Sequence, residues 1–415
     1  MIIHCEKPLR ICLLSYRSNP HCGGQGGYIR NLSRALIRLG HRVDVLSGQP
    51  YPELADGVRL VKIPSLDLYN AENPFRVPKV RELGDWINLN EWIGTSTMGF
   101  PEPHTFGLRA WKYLKHRMDR YDIIHDNQSL SYGLWAIQRR KPTVATIHHP
   151  ITVDRDIAVA SERDFWKKLK HLRWYSFLGM QKRVSRTLAH IITVSGCAKD
   201  DICREFDLPA DRFSIIPNGI NTDLFYPVSG IKREKNRIIV TNSADTPLKG
   251  LHYLLQAVYT IRQTRDIRLI VVGKPKKNSI VSRMIRSLGI ADSITFTGRI
   301  SYEAFVRQYA RATMAVVPSV YEGFGLPAGE AMACGVPVIS TTGGALPEVV
   351  GDAGILVPPA DPDALQHAIL RLMDDPDLAA SYGKAGYERV QRHLTWEAAA
   401  QSTVDAYRKV IRDYH

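Results

Sequence analysis

The sequence predicts an α/β protein of two doubly wound domains, and three observations carry that reading. At 415 residues the chain is longer than one ordinary hydrophobic core serves, which makes two domains of about 200 residues each the natural division. Short β-branched runs alternate with amphipathic helical stretches from end to end, the βαβ rhythm of parallel sheets. The glycine-, lysine- and carboxylate-bearing segments fall directly after those runs, at the strand ends where open α/β sheets bind their ligands.

Taken in order, the chain opens with a strand at Arg10–Ser15, a helix at Tyr28–Leu39 and a strand at Arg42–Ser47. Residues 70–106 are rich in Pro, Gly, Trp and Asn with weak periodicity, and read as an insertion on the first domain. Further strands are expected at Ile123–His125, Thr143–His148 and His190–Val194. Pro217-Asn218-Gly219 breaks the pattern and starts a second series: strand Ile238–Thr241, helix 251–263, then strands Arg268–Val272, Ile294–Thr297, Met314–Val317 and Val336–Ser340. A last helix is expected at Trp396–Ile411. The domains are therefore 1–215 and 216–395, followed by a closing helical segment, 396–415.

Net charge is +14, with 32 Lys and Arg against 22 Asp and Glu in residues 1–215, and 23 against 19 beyond. Such an excess suits phosphorylated ligands, nucleic acid or an anionic membrane surface and does not choose among them. No run of 18 apolar residues occurs, and Glu6, Lys7 and Arg10 interrupt any signal-peptide pattern, so a cytoplasmic or peripheral protein is expected. Six cysteines, at positions 5, 12, 22, 197, 203 and 334, show no CxxC or zinc-like grouping, which argues against a disulfide framework or metal site.

Residues 318–350, PSVYEGFGLPAGEAMACGVPVISTTGGALPEVV, are the most informative stretch. Glu322 ends an apolar run, Gly323 and Gly325 let backbone approach a ligand, Pro327 suits the first helical position, and Glu330 follows eight residues after Glu322. A helix N-terminus favours anions, so a phosphate can be held there while two carboxylates accept hydroxyl protons from sugar rings. That combination suits a nucleotide-sugar. Earlier, the glycines Gly23, Gly24, Gly26 and Gly27 read as a loop between the first strand and helix, neither a Walker A motif nor a GxGxxG fingerprint. His148 and His149 end the strand TVATIHH, and Lys249 lies between the strand Ile238–Thr241 and the next helix, where its charge can neutralise a leaving diphosphate.

The Glu-x7-Glu spacing with its embedded Gly-Phe-Gly, the Gly343-Gly344 turn and the glycine-rich stretch from Gly23 resemble family 4 glycosyltransferases, retaining enzymes of the GT-B fold. The resemblance runs in order over nearly the whole chain. It implies two facing Rossmann-like domains with the active site in the cleft between them, an acceptor-side N-terminal domain and a last helix that crosses back to brace that domain. It implies that Gly24, Gly26 and Gly27 face donor phosphates or acceptor, that His148 contacts the transferred sugar near its anomeric carbon, and that His149 is a competitor for that role or an acceptor contact. Glu322 would orient sugar hydroxyls, the backbone of Gly323, Phe324, Gly325 and Leu326 would hold phosphate, and Glu330 would bind near the ribose. Where the family has an Arg paired with the lysine, this chain has Asn242-Ser243, so Ser243 takes that donor-facing place, and either another cation compensates, with Lys274 at the next strand end a candidate, or leaving-group stabilisation is weaker.

Asp154-Arg155-Asp156 spells DxD but lacks the required strand context; a solvated charged turn explains it, and neither a metal nor any cofactor beyond the nucleotide-sugar co-substrate is expected. Asp245 reads as ordering the loop of Lys249. Residues 162–186 carry eight Lys and Arg against two acids, interleaved with aromatic and aliphatic residues. Two readings compete there: a helix lying on an anionic bilayer, and an ordinary helix packed on the first domain with a wet basic face. The insertion at 70–106 likewise either shapes the acceptor surface or is an excursion without substrate contact. The expected reaction is metal-independent, retaining transfer of a hexosyl unit from a nucleoside diphosphate sugar to a glycan, lipid-linked or small hydroxyl acceptor. Its rivals are an epimerase or phosphorylase on the same fold and a nucleotide-sugar-binding protein without turnover; nucleic-acid binding has only the charge to support it.

Overall fold

Short apolar β-branched runs bury both faces when helices cover a parallel sheet, and here they do so twice. The computed structural model describes residues 7–19, 24–70, 73, 76–241, 246–274 and 279–414. The chain divides into two compact units, one formed by residues up to Val194 with Ala198–Ile216 and the chain from Ala399 on, the other by Ser195–Cys197 and Pro217–Ala398. The division thus assigns Trp396–Ala398, the start of the last helix, and the short piece Ser195–Cys197 to the second unit.

The first unit holds a seven-stranded sheet: β1 (Arg10–Ser15), β2 (Arg42–Ser47), β3 (Arg59–Lys62), β4 (Ile123–Asn127), β5 (Thr143–Ile147), β6 (Ile191–Thr193) and β7 (Phe213–Ile215), in the order β3-β2-β1-β4-β5-β6-β7. The second unit holds β8 (Arg237–Thr241), β9 (Arg268–Val272), β10 (Ile294–Phe296), β11 (Met314–Val317), β12 (Val338–Thr341) and β13 (Ile355–Val357), in the order β10-β9-β8-β11-β12-β13. All neighbouring pairs in both sheets are parallel. Three strands have no counterpart in the sequence reading: β3, β7 and β13. Each is an edge strand of three or four residues, too short and too exposed to show a continuous apolar run.

Central strands supply the cores. Ile11, Cys12 and Leu13 of β1 are fully buried, as are Ile238 and Ile239 of β8 and Met314 of β11. In the second unit they pack against Leu251, Leu254, Leu255 and Val258 of the helix Leu251–Arg262. Cys12 and Cys334 are buried free thiols, and Cys203 is also free.

The insertion is more ordered than its weak periodicity suggests. It contains the helix Trp86–Ser96 and the start of the helix Glu102–Leu114, the first capped by the Asp85 carboxylate, which accepts from the Ile87 amide at 2.8 Å. Glu91, 1% exposed, anchors it: the carboxylate accepts from the Leu66 amide and the Thr105 hydroxyl and pairs with Arg109 at 2.5 Å. The last helix, Trp396–Arg412, meets the first sheet through Tyr407, whose hydroxyl lies 2.6 Å from His125 Nδ1 on β4. Among the described residues, no helix is long and apolar enough to cross a membrane.

Candidate functional site

In the second sheet the strand order reverses between β8 and β11, and the crevice outside the carboxyl ends of such strands is where open α/β sheets hold ligands. Lys249 ends a turn of 3-10 helix, Pro247–Lys249, after β8, and Glu322 follows β11. The two meet. The ammonium lies 2.7 Å from Glu322 Oε1, and the Ser319 hydroxyl donates to the same oxygen at 2.8 Å. Side-chain exposures of 27% for Lys249 and 11% for Glu322 make the pair substantially shielded from water, so its attraction is stronger than that of a surface pair.

Backbone bonds hold this arrangement. The Val320 amide donates to the Leu248 carbonyl at 2.8 Å, tying the lysine turn to the glutamate loop, and the Ala345 amide donates to the Glu322 carbonyl at 2.9 Å. Gly344 has φ 64, and a Cβ there would stand 2.2 Å from the Glu322 carbonyl oxygen, so the Gly343-Gly344 turn closes on Glu322 only because it lacks a side chain.

Gly325 caps the helix Leu326–Ala333 in left-handed conformation. The sequence placed Pro327 first in this helix; Leu326 is first and Pro327 second, where a missing N–H is equally harmless because the first amides of a helix have no internal partner. Phe324 is buried, and the Gly323 carbonyl accepts from Ser195 Oγ at 3.0 Å. Glu330, one turn into the helix, has its carboxyl pushed up to about 7 by burial, so it exchanges its proton near neutrality. Lys274 is exposed just beyond β9. Ser243, with Asn242 and Asp245, lies outside the described residues.

The first sheet reverses between β1 and β4. Gly24, Gly26 and Gly27 do not form a loop as expected: they are the first turn of the helix Gly24–Arg38, which starts four residues before the expected Tyr28. Three of its first four residues are glycines, which hides the start from any propensity argument. Gly26 is needed for packing, since a Cβ would meet the Asn19 carbonyl oxygen at 2.3 Å, whereas Gly24 and Gly27 face open space.

His148 stands immediately after β5. Its Nε2 lies 2.8 Å from Asn127 Oδ1, its amide donates to Gln128 Oε1 at 2.9 Å, and the Tyr28 ring meets it edge-on with centroids 4.7 Å apart. Burial pushes the His148 imidazole down to about 3, with the neighbouring His149 adding to the effect, so the ring is neutral at physiological pH. His149 instead bonds Asp154, Nε2 to Oδ2 at 2.9 Å. This corrects the reading of Asp154-Arg155-Asp156 as a solvated turn: the three residues lie in the helix Thr152–Ser161, with Asp154 in its first turn, where a carboxylate is favoured by the helix dipole and here also holds a histidine.

Several site-shaping residues escaped the sequence reading. Asn127 and Gln128 belong to an all-polar run, His125 to Ser129, placed directly after the apolar start of β4, and that placement was the available signal. Ser319 and Tyr28 carried no signal, because a serine in a loop and a tyrosine on a helix are ordinary. Among the described residues, no group of three or more His, Cys, Asp or Glu is arranged to hold a metal ion.

With this geometry in place, comparison with known proteins assigns the family. Residues 22–224 match Glycosyltransferase Family 4, and residues 225–389 match Glycosyl transferases group 1. The chain is 47% identical over 408 residues to MMP alpha-(1->4)-mannosyltransferase of Mycolicibacterium hassiacum, covering 97% of this chain and 98% of the relative. The chain belongs to the family 4 glycosyltransferases. It is also 28% identical over 436 residues to D-inositol 3-phosphate glycosyltransferase of Corynebacterium diphtheriae, covering 96% and 94% of the two chains. Among solved structures, sucrose-phosphate synthase from Thermosynechococcus elongatus superposes with a TM-score of 0.72 at 25% identity, covering 97% of this chain and 99% of that one. The two parallel-sheet domains are those of a GT-B glycosyltransferase, as the sequence motifs implied.

Proposed function

We propose that this glycosyltransferase moves a hexosyl unit, mannose by preference, from a nucleoside diphosphate sugar to a glycan hydroxyl with retention at the anomeric carbon and without a metal ion. The observation that carries the reading is the 47% identity over nearly the full length with an alpha-(1->4)-mannosyltransferase. Transfer from an α-configured donor to an α-linked product is retention. Lys249 and the amides at Gly323–Leu326 offset the charge that develops on the leaving diphosphate. Glu322 orients hydroxyls of the transferred sugar, Glu330 accepts hydroxyls at or near the ribose, and His148 contacts the sugar near the reacting carbon. The anomeric C–O bond to phosphate breaks, the acceptor oxygen bonds that carbon from the same side, and the acceptor proton passes to a leaving phosphate oxygen. His149 faces the acceptor, and Lys274 adds positive charge for the diphosphate.

The test is a screen of GDP-, UDP- and ADP-hexoses with oligosaccharide acceptors, with and without EDTA, the product linkage being read by NMR. An α-product formed equally in EDTA, and lost in Glu322→Ala, Glu330→Ala and Lys249→Ala, is expected. A β-product would sink retention, EDTA inhibition would sink metal independence, and full activity in all three variants would sink the residue roles.

We also propose that the helix Phe165–Trp174 rests on an anionic membrane surface, at its cytoplasmic face. A helix packed on its own domain buries a face; this one has no buried residue, and Phe165 and Trp166 are 66% and 71% exposed. At about 100° per residue, Leu172, Phe165, Leu169 and Trp166 share an arc of about 120°, with Lys168 at one edge and Lys170 at the other. Arg173 interrupts the arc, and its guanidinium donates to Thr97 and Ser176. Flotation with phosphatidylserine vesicles at low salt, weakened by Trp166→Ser with Leu169→Ser, is expected; absence of flotation at low salt would overturn it.

A further inference from the structure

The turn after β4 is built at conformational cost. Asp126, Asn127, Gln128 and Ser129 are each at most 2% exposed, and Gln128 and Leu130 hold left-handed backbone at φ 59 and 47. Such backbone is unfavourable for a residue with a side chain and persists only where its surroundings enforce it. Here they do. Asp126 accepts from the Ser129 hydroxyl at 2.5 Å and from the Leu130 amide at 2.9 Å, and Gln181 Nε2 donates to the carbonyls of Gln128 and Ser129 at 3.0 and 3.3 Å.

What the turn achieves lies at the end of β5. Pairing of β4 with β5 stops at Asn127 and Thr146. One step beyond, the Gln128 side chain takes over as a strand neighbour would: Oε1 accepts from the His148 amide at 2.9 Å and Nε2 donates to the His149 carbonyl at 3.0 Å. Asn127 Oδ1 meets His148 Nε2 at 2.8 Å, and Asn127 Nδ2 is buried without a partner among the described residues, so the amide's one side-chain bond there is to this ring.

We infer that Asn127 and Gln128 are positioning residues, which together set the tautomer and aim of His148 so that its Nδ1 stands as a hydrogen-bond acceptor. A carbonyl oxygen only accepts, so His148 Nε2 carries the proton and Nδ1 keeps its lone pair. Gln128 fixes the backbone from which the ring projects. The value of this for transfer rests on the proposed contact between His148 and the sugar, because a neutral ring with Nδ1 free can accept from a sugar hydroxyl without ever serving as a base.

The test combines 15N spectra of histidine-labelled enzyme with kinetics, using Asn127→Asp, Gln128→Gly and His148→Ala, the last also assigning the His148 resonances. Wild type is expected to show a protonated Nε2 and unprotonated Nδ1, unchanged from pH 5 to 8. In Asn127→Asp a carboxylate replaces the neutral acceptor and favours the imidazolium. The ring should then titrate in that range, with kcat falling at least tenfold as pH drops while nucleoside diphosphate affinity holds. Gln128→Gly relieves the left-handed strain, so it should fold, yet lose at least tenfold in kcat. A wild-type ring with Nδ1 protonated would overturn the inference, as would Asn127→Asp and Gln128→Gly enzymes with wild-type kcat beside an inactive His148→Ala. Wild-type kcat in His148→Ala would instead overturn the sugar contact, leaving the tautomer to be decided by the spectra.

Discussion

Replacing Glu330 by Gln should stabilise the unliganded protein above neutral pH while abolishing transfer. Burial pushes the Glu330 carboxyl from an ordinary 4.5 up to about 7. The folded protein therefore holds a proton that the unfolded chain releases between those two values, and stability falls as pH rises through that window and levels off above it. At about 1.4 kcal/mol per pH unit, the interval corresponds to about 3 kcal/mol lost by pH 8 and nothing lost at pH 4.5. Glutamine has the same size, stays neutral and escapes the loss. Burial also raises Glu102 to about 7 and Asp126 to about 6, but both titrate equally in the two proteins and cancel in the difference. For a cooperative unit of this size, about 2–4 °C per kcal/mol makes the expected gain about 6–12 °C in Tm at pH 8, shrinking to zero at pH 4.5. Thermal denaturation of both proteins from pH 4.5 to 8.5 measures it. Parallel curves, or a less stable variant at pH 8, would refute the assignment of a half-buried, near-neutral carboxyl to Glu330.

Three further outcomes follow from the same geometry. Lys249→Met and Glu322→Gln should each cost about 1–3 kcal/mol, below the value for a fully buried pair because of their partial exposure, and the double variant should cost less than their sum; additive costs would show that the 2.7 Å pair is not coupled. Gly344→Ala should destabilise by more than about 2 kcal/mol, because its Cβ must displace the Glu322 backbone, and urea denaturation within about 0.5 kcal/mol of wild type would contradict the tight turn. If ionised Glu330 accepts donor hydroxyls, nucleoside diphosphate affinity should rise with pH up to about 7 and level off above, with proton release visible by calorimetry in buffers of different ionisation enthalpy; pH-independent affinity would exclude that role.

Much of the second unit was legible in the residues. Met314–Val317 and Arg268–Val272 stand as read, because a central parallel strand buried on both faces needs an unbroken apolar run. Glu322 and the Gly343-Gly344 turn were also recognisable, since backbone that must pass close to other backbone tolerates few residues. The first unit was harder to read. The helix that begins at Gly24 looked like a loop because its helical start is enforced by packing against Asn19 rather than by propensity. Asp154 looked like a surface charge because its partner, His149, stands outside the helix that carries it.

The alternation of strands and helices, the family, and the candidate carboxylates, lysine and histidines could be read from the residues alone, since these depend on local periodicity and on residue type. What each of them touches comes from the packing of the folded chain. Lys249 and Glu322 are 73 positions apart and become neighbours because the sheet order reverses between β8 and β11. His148 acquires its neutral state and its Asn127 and Gln128 partners because β5 runs beside β4. Burial and partnership are properties of the packed chain, and they set the charge and direction of a side chain that its position in the sequence leaves open.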